Sequence, residues 1–264
     1  FARIAHAFGG LTHLSGFPGE IPVTPGSTSL GDYISGLFGV IGIMMALRHR
    51  DFTGQGQIID LGLFESVFRM LDEIAPRYAR ENTIRGPEGA GTVNACPHGH
   101  FPTFDNKWVA IACTTDKMFK RLCDAMDHDS GTIGNAFFKS YAKKTIRLAN
   151  KEKVIETVNQ WTSSFNRDDL IKVCVSFEVP IGSINTIADI FEDPQFKARD
   201  VLTSLNLDDL GKIVVPSPLP KLSLTPGIIK TLGPRLGQHN KEIYENLLKI
   251  SKLELLELKK KGVI

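Results

Sequence analysis

The sequence feature that most constrains the fold is an uncharged stretch of fifteen residues, Tyr33 to Leu47, that is followed by a basic tripeptide. A membrane span needs about 20 apolar residues, whereas ~10–14 are more typical of a buried core helix. Asp32 directly before the stretch and three glycines within it argue further against a span. The stretch therefore predicts a buried helix over 30–49, which must be covered by protein on nearly all sides.

Composition places the chain among ordinary globular proteins. With 42% hydrophobic residues and a net charge of +2 over 264 residues, the sequence lies far from disordered chains. The balance of 31 basic against 29 acidic residues gives no field that favours a nucleic acid or a membrane surface. We therefore expect neither a nucleic-acid nor a membrane partner.

Cysteine usage points to a reducing compartment. Four cysteines are too few for a disulfide scaffold in a chain of this length, and none forms a CxxC pair. We expect buried, reduced thiols in a cytoplasmic protein, and we read His98 and His100 as loop packing rather than as metal ligands. No metal site is predicted. The cysteines are Cys96, Cys113, Cys123 and Cys174.

The N-terminal end of the sequence supports a further expectation. The first residues run into glycines instead of an apolar leader, and the chain begins with Phe1 rather than methionine. We read it as a piece of a longer protein.

Local patterns predict the elements around the apolar helix. Ile58-Ile59-Asp60-Leu61 reads as a short strand, and apolar spacing predicts a helix over 63–75 that Pro76 ends. Residues 77–97 show no period and are typical of a linker or functional loop. The later pattern predicts a hairpin around 104–107, helices that begin near 115, 150, 166 and 186, a strand over 211–216, and closing helices over 240–250 and 251–260.

Asp32 is the candidate for chemistry, since the sequence has no P-loop, no GxGxxG after a strand, no HExxH and no GxSxG. An acid at the start of a helix is stabilised by the helix dipole, so Asp32 could serve as a helix cap. It could also be a carboxylate nucleophile, because the neighbouring glycines leave room for a bulky electrophile. Residues 86–91 could likewise be a mobile cover or a linker. The residues alone leave both questions open.

An ordered set of motifs resembles the family III CoA-transferases. The set begins at Leu30-Gly31-Asp32-Tyr33 and continues through Gly36-Leu37, Gly42-Ile43, Ala46-Leu47 and Thr53-Gly54-Gln55-Gly56-Gln57-Ile58-Ile59-Asp60. Later pieces are Pro102-Thr103 with Asp105 before Trp108, Val179-Pro180-Ile181-Gly182 with Asp193-Pro194-Gln195, and Leu236-Gly237-Gln238-His239 with Gly262-Val263. The pieces run in order along the whole chain.

The resemblance implies an α/β fold whose parts have defined positions. Residues 1–80 would be the helical part of a Rossmann-like large domain and carry the nucleophile. A glycine-rich linker or lid would follow over 81–96, then a small α+β domain over 97–185, and a return segment to the large domain over 186–264. Chains of the family interlock like linked rings, which implies a homodimer or a hetero-assembly.

The resemblance also implies CoA transfer with Asp32 as the catalytic carboxylate. Asp32 would attack the donor thioester to give an acyl-aspartyl anhydride, and the CoA thiolate would return to form an aspartyl-CoA thioester. An acceptor carboxylate would then reverse the steps. Phe1, Gly86, Gly89 and Gly91 are the expected substrate-binding residues. An acyl-CoA and a carboxylic acid are the expected substrates, and no tightly bound cofactor is expected.

Two alternatives are kept beside this reading. Racemases of the same family use a second acid/base, a histidine about thirty residues before the aspartate. That position is Phe1 here, and His6 is expected on the wrong side of its helix, so a transferase is favoured. A catalytically silent scaffolding subunit is the other alternative, although such a subunit would have no need of Asp32.

Length is the larger departure from the family, whose members have about 400 residues. The part without a counterpart here is the N-terminal Rossmann-like third, which holds most of the CoA pocket in the family. We therefore expect that part to lie on a separate chain or to be absent from this sequence.

Overall fold

Two units make up the chain, residues Phe1–Ile184 and Asn185–Ile264. The structure is a computed structural model that describes residues 1–130, 133–207 and 211–264. It is of the mixed α/β class, with helices predominating over two small antiparallel sheets. The predicted limits of the linker and the small domain, at 80, 96 and 185, stay predictions.

The first unit opens with four helices, the second of which contains the apolar stretch. They are α1 (Ala2–Phe8), α2 (Leu30–Thr53), α3 (Leu63–Arg69) and α4 (Ile74–Glu81), with a 3₁₀ turn at Pro25–Ser27 before α2. The predicted helix over 30–49 is confirmed and runs four residues further. Its end is set by Gly54, which adopts a left-handed conformation with φ of 76° and donates its N–H to the Arg50 carbonyl.

Two predictions in this region were wrong. Residues 58–61 are extended but are not part of a strand, because no neighbour among the described residues pairs with them. The helix predicted over 63–75 is two helices, because Asp72 between α3 and α4 has a positive φ of 51° that a helix cannot contain. Pro76 does not end a helix but lies in the first turn of α4, where no intrahelical N–H is required.

The second half of the first unit is a three-stranded sheet covered by five helices. Strands β1 (His98–Pro102) and β2 (Trp108–Ala112) form the predicted hairpin, with Phe101 opposite Val109, and β3 (Ile181–Ser183) pairs antiparallel with the far edge of β2. The helices are α5 (Asp116–Ser130), α6 (Ile133–Tyr141), α7 (Lys144–Ala149), α8 (Lys151–Thr162) and α9 (Arg167–Ser176). The predicted helix starts near 115, 150 and 166 are confirmed.

A single apolar core joins this sheet to these helices. Its largest side chains are fully buried, and they come from both layers: Phe101, Ile111, Phe119, Leu122, Met126, Val154 and Leu170. Arg147 is also fully buried, and its guanidinium donates to the Cys96, Tyr141 and Ala142 carbonyls and pairs with Asp116. Each guanidinium nitrogen of Arg147 has a carbonyl or carboxylate partner, and these hydrogen bonds compensate for the burial of its charge.

The second unit begins with two short helices, α10 (Ile187–Glu192) and α11 (Pro194–Ala198), followed by a hairpin of β4 (Leu202–Leu207) and β5 (Gly211–Pro216). Thr186 caps α10 as predicted, accepting a hydrogen bond from the Asp189 N–H. Strand β4 was not predicted. The first closing helix is a short π-helical turn at Lys241–Leu247, and the second is α12 (Lys252–Lys260).

The described residues of this chain leave most of helix α2 exposed. Only Gly31 and Ser35 of the helix are buried, whereas Leu37 is 67% exposed and Met44 is 61% exposed. By length and composition alone, α2 would also be long and apolar enough to cross a membrane. The sequence pattern identified a helix that needs cover. The described residues bury it only at its first turns, although Ile59 and Leu61 lie beside its middle near Gly42 and Gly39.

Candidate active site

The first turn of α2 lies at a junction of three helices. Val67 of α3 is almost fully buried there, and its side chain approaches both Gly31 of α2 and Gly9 at the end of α1. The rings of Phe8 and Phe64 meet edge to face on the same junction, with centroids 5.0 Å apart. These contacts fix the start of α2 against α1 and α3.

A histidine side chain binds this turn from α1. The Gly31 N–H donates to Nε2 of His6 over 2.7 Å, and the His6 ring is fully buried. A ring nitrogen that accepts a hydrogen bond carries no proton, so the imidazole is neutral and its proton lies on Nδ1. Nδ1 has no hydrogen-bond partner among the described residues.

The position of His6 corrects the expectation that it lies on the wrong side of its helix. Its ring faces the turn that carries Asp32, because α1 packs against both α2 and α3. Only Ala5 and His6 of this seven-residue helix are buried, and so short a helix gives too few residues for the sequence to define its buried face. His6 is nevertheless enclosed, and its Nε2 is engaged by Gly31, so it is not presented to solvent as a second acid/base.

Asp32 itself lies in the first turn of α2 with its side chain exposed. Its N–H donates to the Ser29 carbonyl over 3.0 Å. The dipole of a helix stabilises negative charge near its first turn. The described geometry thus presents an exposed carboxylate at an anchored helix start, which is a position suited to a carboxylate nucleophile.

The glycine-rich segment 86–91 is fastened at two places. The Gly89 N–H donates to the Gly16 carbonyl over 2.9 Å, and Glu88 forms an ion pair with Lys151 at the start of α8. Gly89 has a φ of 61°, and a Cβ there would lie 2.7 Å from the Phe17 ring, so this position needs glycine. The segment therefore bridges the N-terminal loop and α8 in this conformation.

The other predicted binding residues differ in their surroundings. Gly86 has open space where a Cβ would stand, and a Cβ at Gly91 would meet Lys151 at ordinary contact distance. Phe1 precedes α1 and is 98% exposed. Where Phe1 and the three glycines have neighbours, those neighbours belong to elements other than the first turn of α2. The substrate-binding roles of these four residues therefore stay predictions.

Sequence reasoning missed the contact between His6 and Gly31. The two residues are 25 positions apart, and no local periodicity links a residue of α1 to the backbone of α2. The usable signal was the pair of small residues Gly9 and Gly31, since each allows a neighbouring helix to approach closely.

The four cysteines are free and buried, as predicted. Burial raises the pKa of Cys113, Cys123 and Cys174 to about 12 in each case, because a thiolate would lose its hydration inside the core. These thiols are therefore unreactive near neutral pH.

The chain was compared with protein families, curated proteins and solved structures. A family model described as CoA-transferase family III matches residues 1–240. The sequence is 49% identical over 264 residues to the succinyl-CoA–L-malate CoA-transferase alpha subunit of Chloroflexus aurantiacus, with all of this chain and 61% of that protein covered. It is 46% identical over 266 aligned residues to the beta subunit of the same name from Chloroflexus aurantiacus, covering 100% of this chain and 65% of that subunit.

A solved structure has a similar fold. The crystal structure of a CAIB/BAIF family protein from Brucella suis superposes with a TM-score of 0.77 at 29% sequence identity, covering 94% of this chain and 62% of that one. The chain thus spans less than two thirds of the length of these relatives. Helix α2 lies within the region that the family model matches and is an element of the family fold rather than an added segment.

Proposed function

The chain belongs to CoA-transferase family III, and on that premise we propose that it moves CoA between an acyl-CoA thioester and a carboxylic acid, with Asp32 as the nucleophile. The observation that carries the proposal is the exposed Asp32 carboxylate on an anchored first turn of α2, within the region that the family model matches. The buried thiols offer no competing nucleophile.

The proposed reaction is an exchange in two halves. The Asp32 carboxylate attacks the thioester carbonyl of the donor, CoA leaves as thiolate, and an acyl-aspartyl anhydride forms. The thiolate then attacks the aspartyl carbonyl of the anhydride, which releases the donor acid and leaves an aspartyl-CoA thioester. The acceptor carboxylate repeats these steps in reverse and regenerates Asp32. Dividing the exchange in this way lowers the barrier of each step, which is the usual gain from covalent catalysis.

A second part of the proposal concerns what covers the site. Ligand pockets enclose most of their ligand, yet Asp32 and the apolar side chains of α2 are exposed in this chain. We propose that the Rossmann-like N-terminal part of the family covers α2 and supplies most of the CoA pocket. The two Chloroflexus relatives are named as alpha and beta subunits, which supports a hetero-assembly as an alternative to a homodimer. We refer to this chain joined with that N-terminal part as the complemented assembly.

The substrates proposed for a first assay come from the names of the relatives. Both Chloroflexus subunits are named for succinyl-CoA as donor and L-malate as acceptor. We propose short dicarboxylic acids and their CoA thioesters as the substrate class here, because the identity to both subunits extends over the entire chain. An assay panel that combines succinyl-CoA with either L-malate or monocarboxylic acids of similar size tests the substrate class separately from the transfer reaction itself.

The experiment for the nucleophile is Asp32→Ala in the complemented assembly, assayed for CoA exchange. We expect exchange to be abolished while the assembly forms normally, since the loss of an acidic side chain from a first helical turn costs only about 0.3–1 kcal/mol of stability. Asp51→Ala is the matched control, because Asp51 is an exposed aspartate on the same helix. Retention of more than a small fraction of activity by Asp32→Ala, or equal loss in both variants, would reject Asp32 as nucleophile.

A further inference from the structure

His6 takes the place of a helix cap at the start of α2. Ser29 occupies the N-cap position of α2, but its side chain makes no cap hydrogen bond. The second residue of a helix has an N–H that a cap side chain commonly satisfies, and here the Gly31 N–H goes to His6 Nε2 instead. The turn that carries Asp32 is thus tied to a different helix rather than to its own N-cap residue.

The geometry of this contact depends on Gly31. A Cβ at this position would lie 3.3 Å from both Cδ2 and Nε2 of His6, and 3.3 Å from Cγ2 of Val67. Such distances are tighter than ordinary packing, so a larger residue would push the imidazole and the backbone apart. The absence of a side chain lets the ring reach the amide directly before Asp32.

The second ring nitrogen of His6 provides an independent observation. Nδ1 must carry the proton of the neutral ring, yet it is buried without a partner among the described residues. Burying a donor without a partner opposes folding, and a residue kept at that cost calls for an explanation. A side chain chosen for packing alone would be apolar here.

We propose that His6 is a positioning residue for Asp32: its Nε2 holds the Gly31 amide and so fixes the direction of the adjacent carboxylate. This inference rests on the proposed function of Asp32. Attack on a thioester carbonyl needs the nucleophile within a narrow range of distance and angle, so loosening this turn lowers the rate of chemistry more than the affinity for substrate. His6 does not touch the substrate and transfers no proton in this role.

The test compares two substitutions of similar size in the complemented assembly. His6→Gln places an amide oxygen where it can accept from the Gly31 N–H, whereas His6→Met fills the space without an acceptor. We expect His6→Met to lower kcat by at least about tenfold with KM changed less than about twofold. His6→Gln is expected to restore kcat to within about threefold of the wild-type value. His13→Met, which replaces an exposed histidine of the same region, is the control and should be unchanged.

Two further readouts and one substitute variant keep the outcome decisive. Amide exchange at Gly31 should speed up in His6→Met and not in His6→Gln, and a uniform change in both variants would overturn the proposal. If His6→Met does not assemble, His6→Asn, whose shorter side chain cannot reach the amide, replaces it. Trapping with hydroxylamine separates the two claims: no wild-type adduct on Asp32 rejects the proposed function, whereas equally fast adduct formation in wild type and His6→Met rejects only the role of His6.

Discussion

Residues 1–81 and residues 95–183 are both mainly helical, but they differ in how their apolar side chains are covered. In the later region, Phe101, Phe119 and Leu170 are fully buried in one core. In the earlier region, Leu37 and Met45 of α2 are each 67% exposed. The comparison shows that a sequence pattern identifies side chains that need burial without identifying what buries them. The later region meets that need within itself, and the region that carries Asp32 does not.

The largest expected effect is on the solution behaviour of the chain by itself. Leaving several large side chains of α2 in water costs about 1.5–3 kcal/mol each, which is comparable to the ~5–15 kcal/mol net stability of a domain. We therefore expect the 264 residues alone to self-associate or remain partly unfolded, while residues 95–184 alone melt cooperatively as a monomer. Co-production with the N-terminal part should give a monodisperse assembly.

Sedimentation and thermal melting check this prediction. A whole chain that is monodisperse and monomeric and that melts cooperatively would remove the proposed difference between the two regions, and it would favour an independent, non-catalytic domain.

A matched pair of truncations sharpens the same comparison. Phe119 is fully buried against Phe137, with ring centroids 5.3 Å apart, so Phe119→Ala should lower the free energy of unfolding of residues 95–184 by about 3–5 kcal/mol. Met44 is exposed on α2, so Met44→Ala should leave the helix content of the chain alone unchanged, as measured by circular dichroism.

The same Met44→Ala substitution should weaken the complemented assembly, because there the side chain is covered. Denaturant titration measures the stability effects, and a dilution series measures assembly. Normal assembly by Met44→Ala would show that this face of α2 is not covered by the N-terminal part.

The glycine-rich segment 86–91 should respond to substrate. Its contacts to Gly16 and Lys151 are few and partly exposed, and its three glycines permit conformations closed to other residues. We expect rapid hydrogen exchange in the free complemented assembly and protection once acyl-CoA is bound. Lys151→Met, which removes the ion pair to Glu88, should speed exchange in the free state only. Equal exchange with and without acyl-CoA would leave the segment a plain linker.

The smallest expected effect is a pH-dependent change of stability at the hairpin of β1 and β2. The Thr103 hydroxyl donates to Asp105, with further contributions from the Arg167 N–H and Lys107, and together they lower the pKa of Asp105 from 3.8 to about 2. A carboxyl whose pKa is lower in the folded state stabilises the fold above its unfolded pKa. That stabilisation is lost as pH falls from about 3.8 toward 2.

Melting of Asp105→Asn across this pH range provides the check. The variant should melt below the wild type at neutral pH, and the gap should close as pH falls toward 2. Thr103→Val should reproduce part of the effect. A gap that is independent of pH would show that Asp105 acts through packing rather than through its charge.

Local patterns predicted the elements whose cause is local. The apolar helix before Arg48, the hairpin at 104–107 and the Thr186 cap each depend on residues within a few positions of one another, and each is found where expected. The strand predicted at 58–61 failed because a strand also needs a partner, which no described residue supplies. Strand β4 was missed because apolar and polar residues alternate only weakly in its sequence. Its pairing with β5 is what identifies it as a strand.

The candidate site shows the same division. Asp32 was found from its place between Gly31 and the apolar stretch, which is a local feature, and the family resemblance supplied its chemical role. The contact from His6 was not predictable, since it depends on how α1 packs against α2. The sequence did predict that α2 needs cover, but it did not identify what covers the helix, because burial is a property of everything that surrounds it.

Trapping of the aspartyl intermediate tests the central claim most directly. The chain alone and the complemented assembly are each incubated with succinyl-CoA and hydroxylamine, digested and analysed by peptide mass spectrometry. We predict a hydroxamate on the peptide that contains Asp32 in the complemented assembly, and none in the chain alone or in Asp32→Ala. An assembly that exchanges CoA without that adduct, or a chain that forms it by itself, would contradict the account.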